Sequence, residues 1–381
     1  MHRESLFILI SICALIQPRT QIYAGEMAMQ RTLLLSPGKD NPRNSEGDFV
    51  QLRDGRILFV YTHFTGGSGD HDKAHLAGRF SSDGGMAWTE NDAIVVQSED
   101  AQNVMSVSLL RLRDDRIALF YGRKFSLSDC RPVVRFSSDE AQTWTDAHEI
   151  IPKSQNGYYV LNNDRVIQLK SGRLLVPVSR HDTSEGRWKK ASEYGTVMCY
   201  LSDDGGHSWH RSKTQRDGYP QNGAKGKRVM LQEPGVVELK NGRVMMFCRT
   251  DAKSQYISFS DDQGESWTLF NSSNIVSPLS PASIERIPDG GGLLMVWNNH
   301  EGIPPGLEGK RTPLCVAISR DEGVNWENLK VLEDNPHGWY CYTAIHFVGK
   351  HVLLSYCAGD RRENNGLAVT QVTRFPLEPF R

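Results

Sequence analysis

The sequence has no surplus of either charge: 44 basic side chains stand against 45 acidic ones in 381 residues. That balance removes the electrostatic footprint of a nucleic-acid or anionic-membrane binder, so neither is expected as a partner. Cysteine is sparse, seven in all, and scattered singly through apolar stretches. Without close Cys/His spacing, a zinc module and a disulfide-dense small fold are both excluded. Cys130, Cys199, Cys248, Cys315, Cys341 and Cys357 read mainly as buried core residues; in an oxidising compartment one or two bridges stay open, with no connectivity implied. No apolar run reaches the roughly 20 residues of a membrane span. The nearest, Leu6 to Ile16, follows Met-His-Arg and precedes Ile22-Tyr23-Ala24, which is the pattern of a secretory signal peptide cleaved after about Ala24. The protein is therefore expected to be secreted or periplasmic, with residues 25–381 as one domain.

What is present in abundance is repetition. One pattern occurs five times: Ser81-x-Asp83-x-Gly85-x-x-Trp88, then the same frame at Ser137, Ser202, Ser260 and Ser319, ending on Trp144, Trp209, Trp267 and Trp326. Successive aspartates stand 56, 65, 58 and 59 residues apart, the length of four strands with their loops. Ser and Asp can bond back to turn N–H groups, Gly allows φ > 0, and Trp offers a broad apolar face to a neighbouring unit. The second copy carries Ala141 at the glycine position, so its turn should be strained or differently closed. Ahead of each copy lies an apolar strand, a turn and a second apolar strand, with turns at Asp54-Gly55, Asp114-Asp115, Ser171-Gly172, Asn241-Gly242, Asp289-Gly290 and Val348-Gly349. Six turns and five boxes predict an all-β, six-bladed β-propeller. Its last blade is closed by an N-terminal strand, Met29 to Leu35, lying beside Gly366 to Arg374. The polar segments Thr183 to Tyr194 and Arg211 to Arg228 read as insertions on one face.

The five repeats resemble the Asp boxes of the sialidase (neuraminidase) superfamily, and the resemblance covers nearly all of the chain after the leader. It implies an exo-acting, retaining glycoside hydrolase with a glycan or glycoconjugate as substrate, no cofactor and no metal. It also implies a Tyr nucleophile paired with a Glu, an Asp acid/base, and arginines that clamp a sugar carboxylate. Leu231-Gln232-Glu233-Pro234 is similar to the family's Glu segment. Arg249, sixteen residues on, stands where the family has a clamping arginine, and Arg311, eight residues before Ser319, is similar to another. The nucleophile implied is Tyr340, nine residues before Gly349 as Glu233 is nine before Gly242, with Tyr342 on the same strand face as the alternative. Asp72, nine residues before Ser81, is the implied acid/base, with Asp70 behind it.

The chain departs from the family at the first strand. No Arg-Ile-Pro motif is present; Arg43 stands about two residues early, and Glu46 occupies the offset that Glu233 and Tyr340 share. Asn163, nine residues before Gly172, joins the same ring, which would suit a polyhydroxylated sugar. Two other readings stay open: a divergent glycosidase of the same fold acting on another sugar, and a non-catalytic carbohydrate-binding propeller. Oligomeric state has no signal in the sequence.

Overall fold

The computed structural model describes residues 28–183, 187–219 and 227–380; the expected leader, with Ala24, lies outside them. Short antiparallel strands dominate. After β1 (Gln30–Leu35), the strands fall into six consecutive sets. The first is β2 (Arg43–Gln51), β3 (Ile57–Phe64), β4 (Ala74–Ser81) and β5 (Ala93–Val96). The second is β6 (Asn103–Arg111), β7 (Ile117–Lys124), β8 (Cys130–Ser137) and β9 (His148–Glu149). The third is β10 (Tyr158–Val160), β11 (Ile167–Gln168), β12 (Leu174–His181), β13 (Thr196–Ser202) and β14 (His210–Arg211). The fourth is β15 (Gln232–Glu238), β16 (Val244–Arg249), β17 (Ser254–Ser260) and β18 (Asn271–Val276). The fifth is β19 (Ser283–Arg286), β20 (Leu293–Asn298), β21 (Leu314–Ser319) and β22 (Glu327–Glu333). The sixth is β23 (Gly338–Val348), β24 (His351–Asp360) and β25 (Thr370–Pro376).

Four of these sets are separate four-stranded sheets, and the second and third are joined by a single parallel pairing of Tyr158 with Cys130. The sixth set takes its fourth strand from the other end of the chain: β1 runs antiparallel to β25 with Leu33 opposite Val372. First strands meet one another across the sets, β2 against both β6 and β23, and β19 against both β15 and β23.

The repeated turns fasten each set to the one before it. Ser81 Oγ donates to Asp83 Oδ1 (2.9 Å) and accepts the Gly85 N–H (2.9 Å), while Asp83 Oδ1 accepts the N–H groups of Met86 and Ala87. The same Ser-to-Asp bond recurs at Ser137, Ser202, Ser260 and Ser319. Glycine serves here for closeness as well as conformation. A Cβ on Gly85 would stand 2.6 Å from Leu353 of the sixth set, and one on Gly206 2.6 Å from Phe136 of the second. Ala141 keeps the usual closure, its N–H reaching Ser137 Oγ at 2.8 Å, and does so at φ +63°, so this turn is strained rather than rebuilt.

The first strands carry bulges at matching places. Pairing in β2 skips from Ser45 to Asp48, in β6 from Met105 to Ser108, in β15 from Gln232 to Gly235 and in β23 from Cys341 to Ala344. The first extra residue of each adopts positive φ: Glu46 (54°), Ser106 (65°), Glu233 (50°) and Tyr342 (57°). Such a bulge re-aims one side chain away from the ladder.

The third set has no such strand; residues 162–165, between β10 and β11, cross the middle of the fold instead. Asn163 Nδ2 donates to the carbonyls of Gly47 and Tyr342, each at 3.0 Å. The Asp164 N–H reaches Val107 O (3.1 Å) and its Oδ2 accepts the Ile345 N–H (2.9 Å). The Arg165 N–H binds Ser108 Oγ (2.8 Å), and its buried guanidinium binds Ala282 O (2.7 Å) and Ser283 Oγ (3.3 Å). Four sets are thus bonded to one short connection.

Burial raises the Asp48, Asp164 and Glu285 carboxyls in this central region, Asp164 to about 7. A carboxyl raised above its unfolded value of about 4 keeps its proton in the folded state over that interval, so stability present at low pH is lost as pH rises through about 7. The urea midpoint is expected to fall between pH 5 and pH 8, and Asp164→Asn, which keeps the acceptor without the charge, to flatten that fall. Ala141→Gly relieves the left-handed strain and should raise stability by about 1 kcal/mol, read from the same denaturation curves.

Candidate active site

The four bulges deliver Glu46, Ser106, Glu233 and Tyr342 to a single cleft of about 440 Å³. Arg249 at the end of β16 and Lys124 at the end of β7 also line it. On the floor, Tyr342 Oη donates to Glu233 Oε1 at 3.2 Å. Arg249 Nη1 lies 2.9 Å from Glu233 Oε2 and 3.4 Å from Tyr342 Oη. Gln232 Oε1 accepts from Arg249 Nε (3.0 Å) and Nη2 (2.6 Å), which fixes the plane of the guanidinium. Burial pushes the Tyr342 hydroxyl well above the usual phenol range and the Glu233 charge adds to it, against Arg249 and Arg311. The phenol therefore rests neutral, with a carboxylate placed to take its proton. That arrangement can activate an oxygen nucleophile.

The pairing corrects the expected one. Tyr340 makes no hydrogen bond to Glu233; it packs edge-on against Tyr356 (6.4 Å) in the core between the fifth and sixth sets, where burial pushes its hydroxyl up to about 12. The offset misled because Gly349 sits in a two-residue hairpin between Val348 and His351, whereas Gly55 lies in a five-residue connection between Gln51 and Ile57. Counting nine residues back from the shorter turn therefore overshoots the bulge by two.

Other expected site residues are displaced from the cleft as well. Asp72 does not line it: its Oδ2 accepts the Gly69 N–H at 2.7 Å and closes its own loop. Asp70 lines it instead, bonded to Arg43 Nη1 at 2.6 Å. Burial pushes the Asp70 carboxyl up, but Arg43 and Lys124 outweigh it and hold it down to about 2. Arg43 is only 2% exposed and sits behind the wall, its other nitrogen 3.1 Å from Glu46 Oε1. The second Glu46 oxygen accepts from Ser106 Oγ, and burial raises this carboxyl despite Arg43. Arg311 is partly exposed and is not among the cleft's lining residues; it donates to Cys341 Sγ (3.0 Å) with its guanidinium 5.2 Å from the centre of the Tyr342 ring. Asn163 is fully buried and supports the backbone of Tyr342 rather than facing a sugar. None of the five box aspartates lines the cleft.

All six described cysteines are free and buried, so no bridge forms among them. Cys341 and Cys357 face each other across β23 and β24. Burial raises the Cys341 thiol, but the hydrogen bond with Cys357 and the Arg311 charge bring it down to about 7.

Sequence reasoning missed Lys124 and an aromatic wall of Tyr158, Trp188 and His181. Lys124 carried a signal: in β7 it stands two residues beyond Gly122, which pairs before its bulge as Arg249 does in β16, and so shares that face. The aromatic wall carried none, because Trp188 lies in an insertion outside the repeat.

A family model described as "BNR repeat-like domain" matches residues 64–352. The chain belongs to this BNR repeat-like family. Solved structures agree on the fold. A protein of unknown function from Dyadobacter fermentans is 16% identical, with 91% of this chain and 99% of that one covered at a TM-score of 0.69. A Hadza microbial sialidase is also 16% identical, with 90% and 67% covered at 0.72. Trypanosoma rangeli sialidase, solved with 2,3-difluorosialic acid as a covalent intermediate, is 13% identical, with 92% and 59% covered at 0.67. The fold of this BNR member is that of the sialidase superfamily.

Asn163→Ala would strand two buried carbonyls, those of Gly47 and Tyr342. Its expected cost is about 2 kcal/mol of stability, read by urea denaturation.

Proposed function

We propose that this protein is an exported, exo-acting glycoside hydrolase that removes terminal sialic acid or a related sugar from glycoconjugates with retention of configuration. On this reading the six sets are blades of one closed propeller spanning residues 25–381, the five Ser-x-Asp turns are its Asp boxes, and residues 1–24 are a signal peptide. The observation that carries the proposal is the Tyr342–Glu233–Arg249 constellation, with its 3.2 Å and 2.9 Å contacts on the floor of the cleft. Tyr342 attacks the anomeric carbon as Glu233 takes its proton. A neutral phenol approaches an anionic sugar without the repulsion a carboxylate nucleophile would meet. Arg249 stabilises the Glu233 carboxylate in the resting site and offers its charge to the substrate's own anion.

A second reading, the same chemistry on a different sugar, draws support from two arginines that do not line the cleft. Arg43 is committed to Glu46 and Asp70, and Arg311 to Cys341. The wall leaves Arg249 and Lys124 as the Lys and Arg side chains lining the cleft among the described residues.

A fluorogenic α-sialoside assayed beside aryl glycosides of uncharged sugars separates the two readings, because release from one class assigns the sugar. With the hydrolysed substrate, Tyr342→Phe is expected to lower kcat/KM by about a thousandfold or more, while Tyr340→Phe leaves it near wild type. A wild-type protein silent on the whole panel would make it a binding propeller.

A further inference from the structure

The floor of the cleft supplies a nucleophile and its base, but a glycosidic oxygen also has to be protonated as it leaves. We propose that His71, rather than an aspartate, is the general acid and base of this site; the proposal rests on the hydrolase reading above. His71 lies in the connection between β3 and β4 and lines the same cleft as Tyr342 and Glu233. Its ring is 5.8 Å from that of Tyr158. The backbone is pinned on both sides of it: Lys124 Nζ donates to Asp70 O at 2.8 Å, and Asn103 Nδ2 donates to Asp72 O. A residue held between two anchored carbonyls is positioned, not merely tethered.

His71 Nδ1 is buried and has no hydrogen-bond partner among the described residues. A buried polar atom left unmatched in a cleft is costly unless water or a ligand satisfies it. The two flanking carboxylates are both committed. Asp70 is ion-paired to Arg43 at 2.6 Å and, held to about 2, has no proton to donate near neutrality. Asp72 is bound to the Gly69 N–H and turned out of the cleft. The groups that act on the imidazole are Asp70 and Asp72 on its own loop, Lys124 from β7 and the Tyr158 phenol from β10. Burial and then Lys124 lower the His71 pKa, against the pull of the two aspartates, so the imidazolium is a ready proton donor on the acidic side of neutrality.

The proton balance closes. As the Tyr342 oxygen bonds to the anomeric carbon and its proton passes to Glu233, the glycosidic C–O bond breaks and the leaving oxygen takes the proton of the His71 imidazolium. In the second half, neutral His71 takes a proton from water. That water attacks the anomeric carbon, the bond to Tyr342 breaks, and Tyr342 recovers its proton from Glu233.

The test uses two probes, 4-methylumbelliferyl α-N-acetylneuraminide, whose phenolic leaving group needs little help, and 3′-sialyllactose, whose sugar hydroxyl needs a proton. His71→Gln is expected to lower kcat/KM on sialyllactose by about 100-fold or more and on the aryl sialoside far less. The wild-type kcat/KM should fall as pH rises through a value below 6.5, a limb that His71→Gln abolishes on the aryl probe. An unchanged urea midpoint in the variant separates chemistry from folding. Equal losses on both probes, or the leaving-group split appearing in Asp70→Asn or Asp72→Asn instead, overturns His71 and leaves the hydrolase reading intact. A wild type inert on both probes and on the aryl glycoside panel overturns both.

Discussion

The connection at residues 162–165 is the constraint on which the rest of the structure depends. Sheets arranged side by side bury their faces against one another, yet apolar packing is non-directional and does not fix one set against a distant one. Asn163, Asp164 and Arg165 add direction, with buried hydrogen bonds to the first, second, fifth and sixth sets. The bonds to the first, second and sixth sets end on or beside a bulged strand, and those of the Arg165 guanidinium end at the start of β19 in the fifth set. The bulged strands of the first, second and sixth sets are thereby held at a common level, and the cleft forms above them.

Charge in the cleft is handled by pairing. The cleft and its rim contain three carboxylates, Glu46, Asp70 and Glu233, and each has a cation or a hydroxyl in contact: Arg43 for the first two, Ser106 for Glu46, Arg249 for the third. Truncating one partner of such a buried pair leaves an uncompensated charge, which costs more than the pair contributes. The same logic explains why the arginines read from sequence as sugar clamps divide into two kinds. Arg249 shares its guanidinium between Glu233, Gln232 and the open cleft, while Arg43 and Arg311 spend theirs on internal partners.

The repeat made most of the fold legible. The Ser-x-Asp-x-Gly-x-x-Trp frame marks the turn before the last strand of each of the first five sets, and the surplus sixth turn pointed to β1 joining β25, with Leu33 opposite Val372. Glu233, Arg249 and the alternative Tyr342 were legible because they lie on repeat strands, where spacing carries information. Tyr340 was misplaced by a hairpin three residues tighter than its counterpart, a difference that strand propensity does not encode. Asp72 and Asn163 were misread for another reason. Which oxygen of a glycine-rich loop turns inward, and which amide is consumed by the backbone, is decided by contacts that exist only after folding.

The positive-φ residues at the four bulges have a further consequence. A left-handed non-glycine residue costs about 1–2 kcal/mol, and here the surrounding ladders impose that conformation on a glutamate, a serine, a second glutamate and a tyrosine alike. The backbone at these points is indifferent to which side chain it carries. The fold thus behaves as a socket board with four equivalent plugs converging on one space, in which identity can be exchanged without redrawing the frame. A lineage that inherits the frame can change its reaction by trading residues at four positions. Relatives that share this architecture at low identity should therefore differ most in chemistry where they differ least in shape.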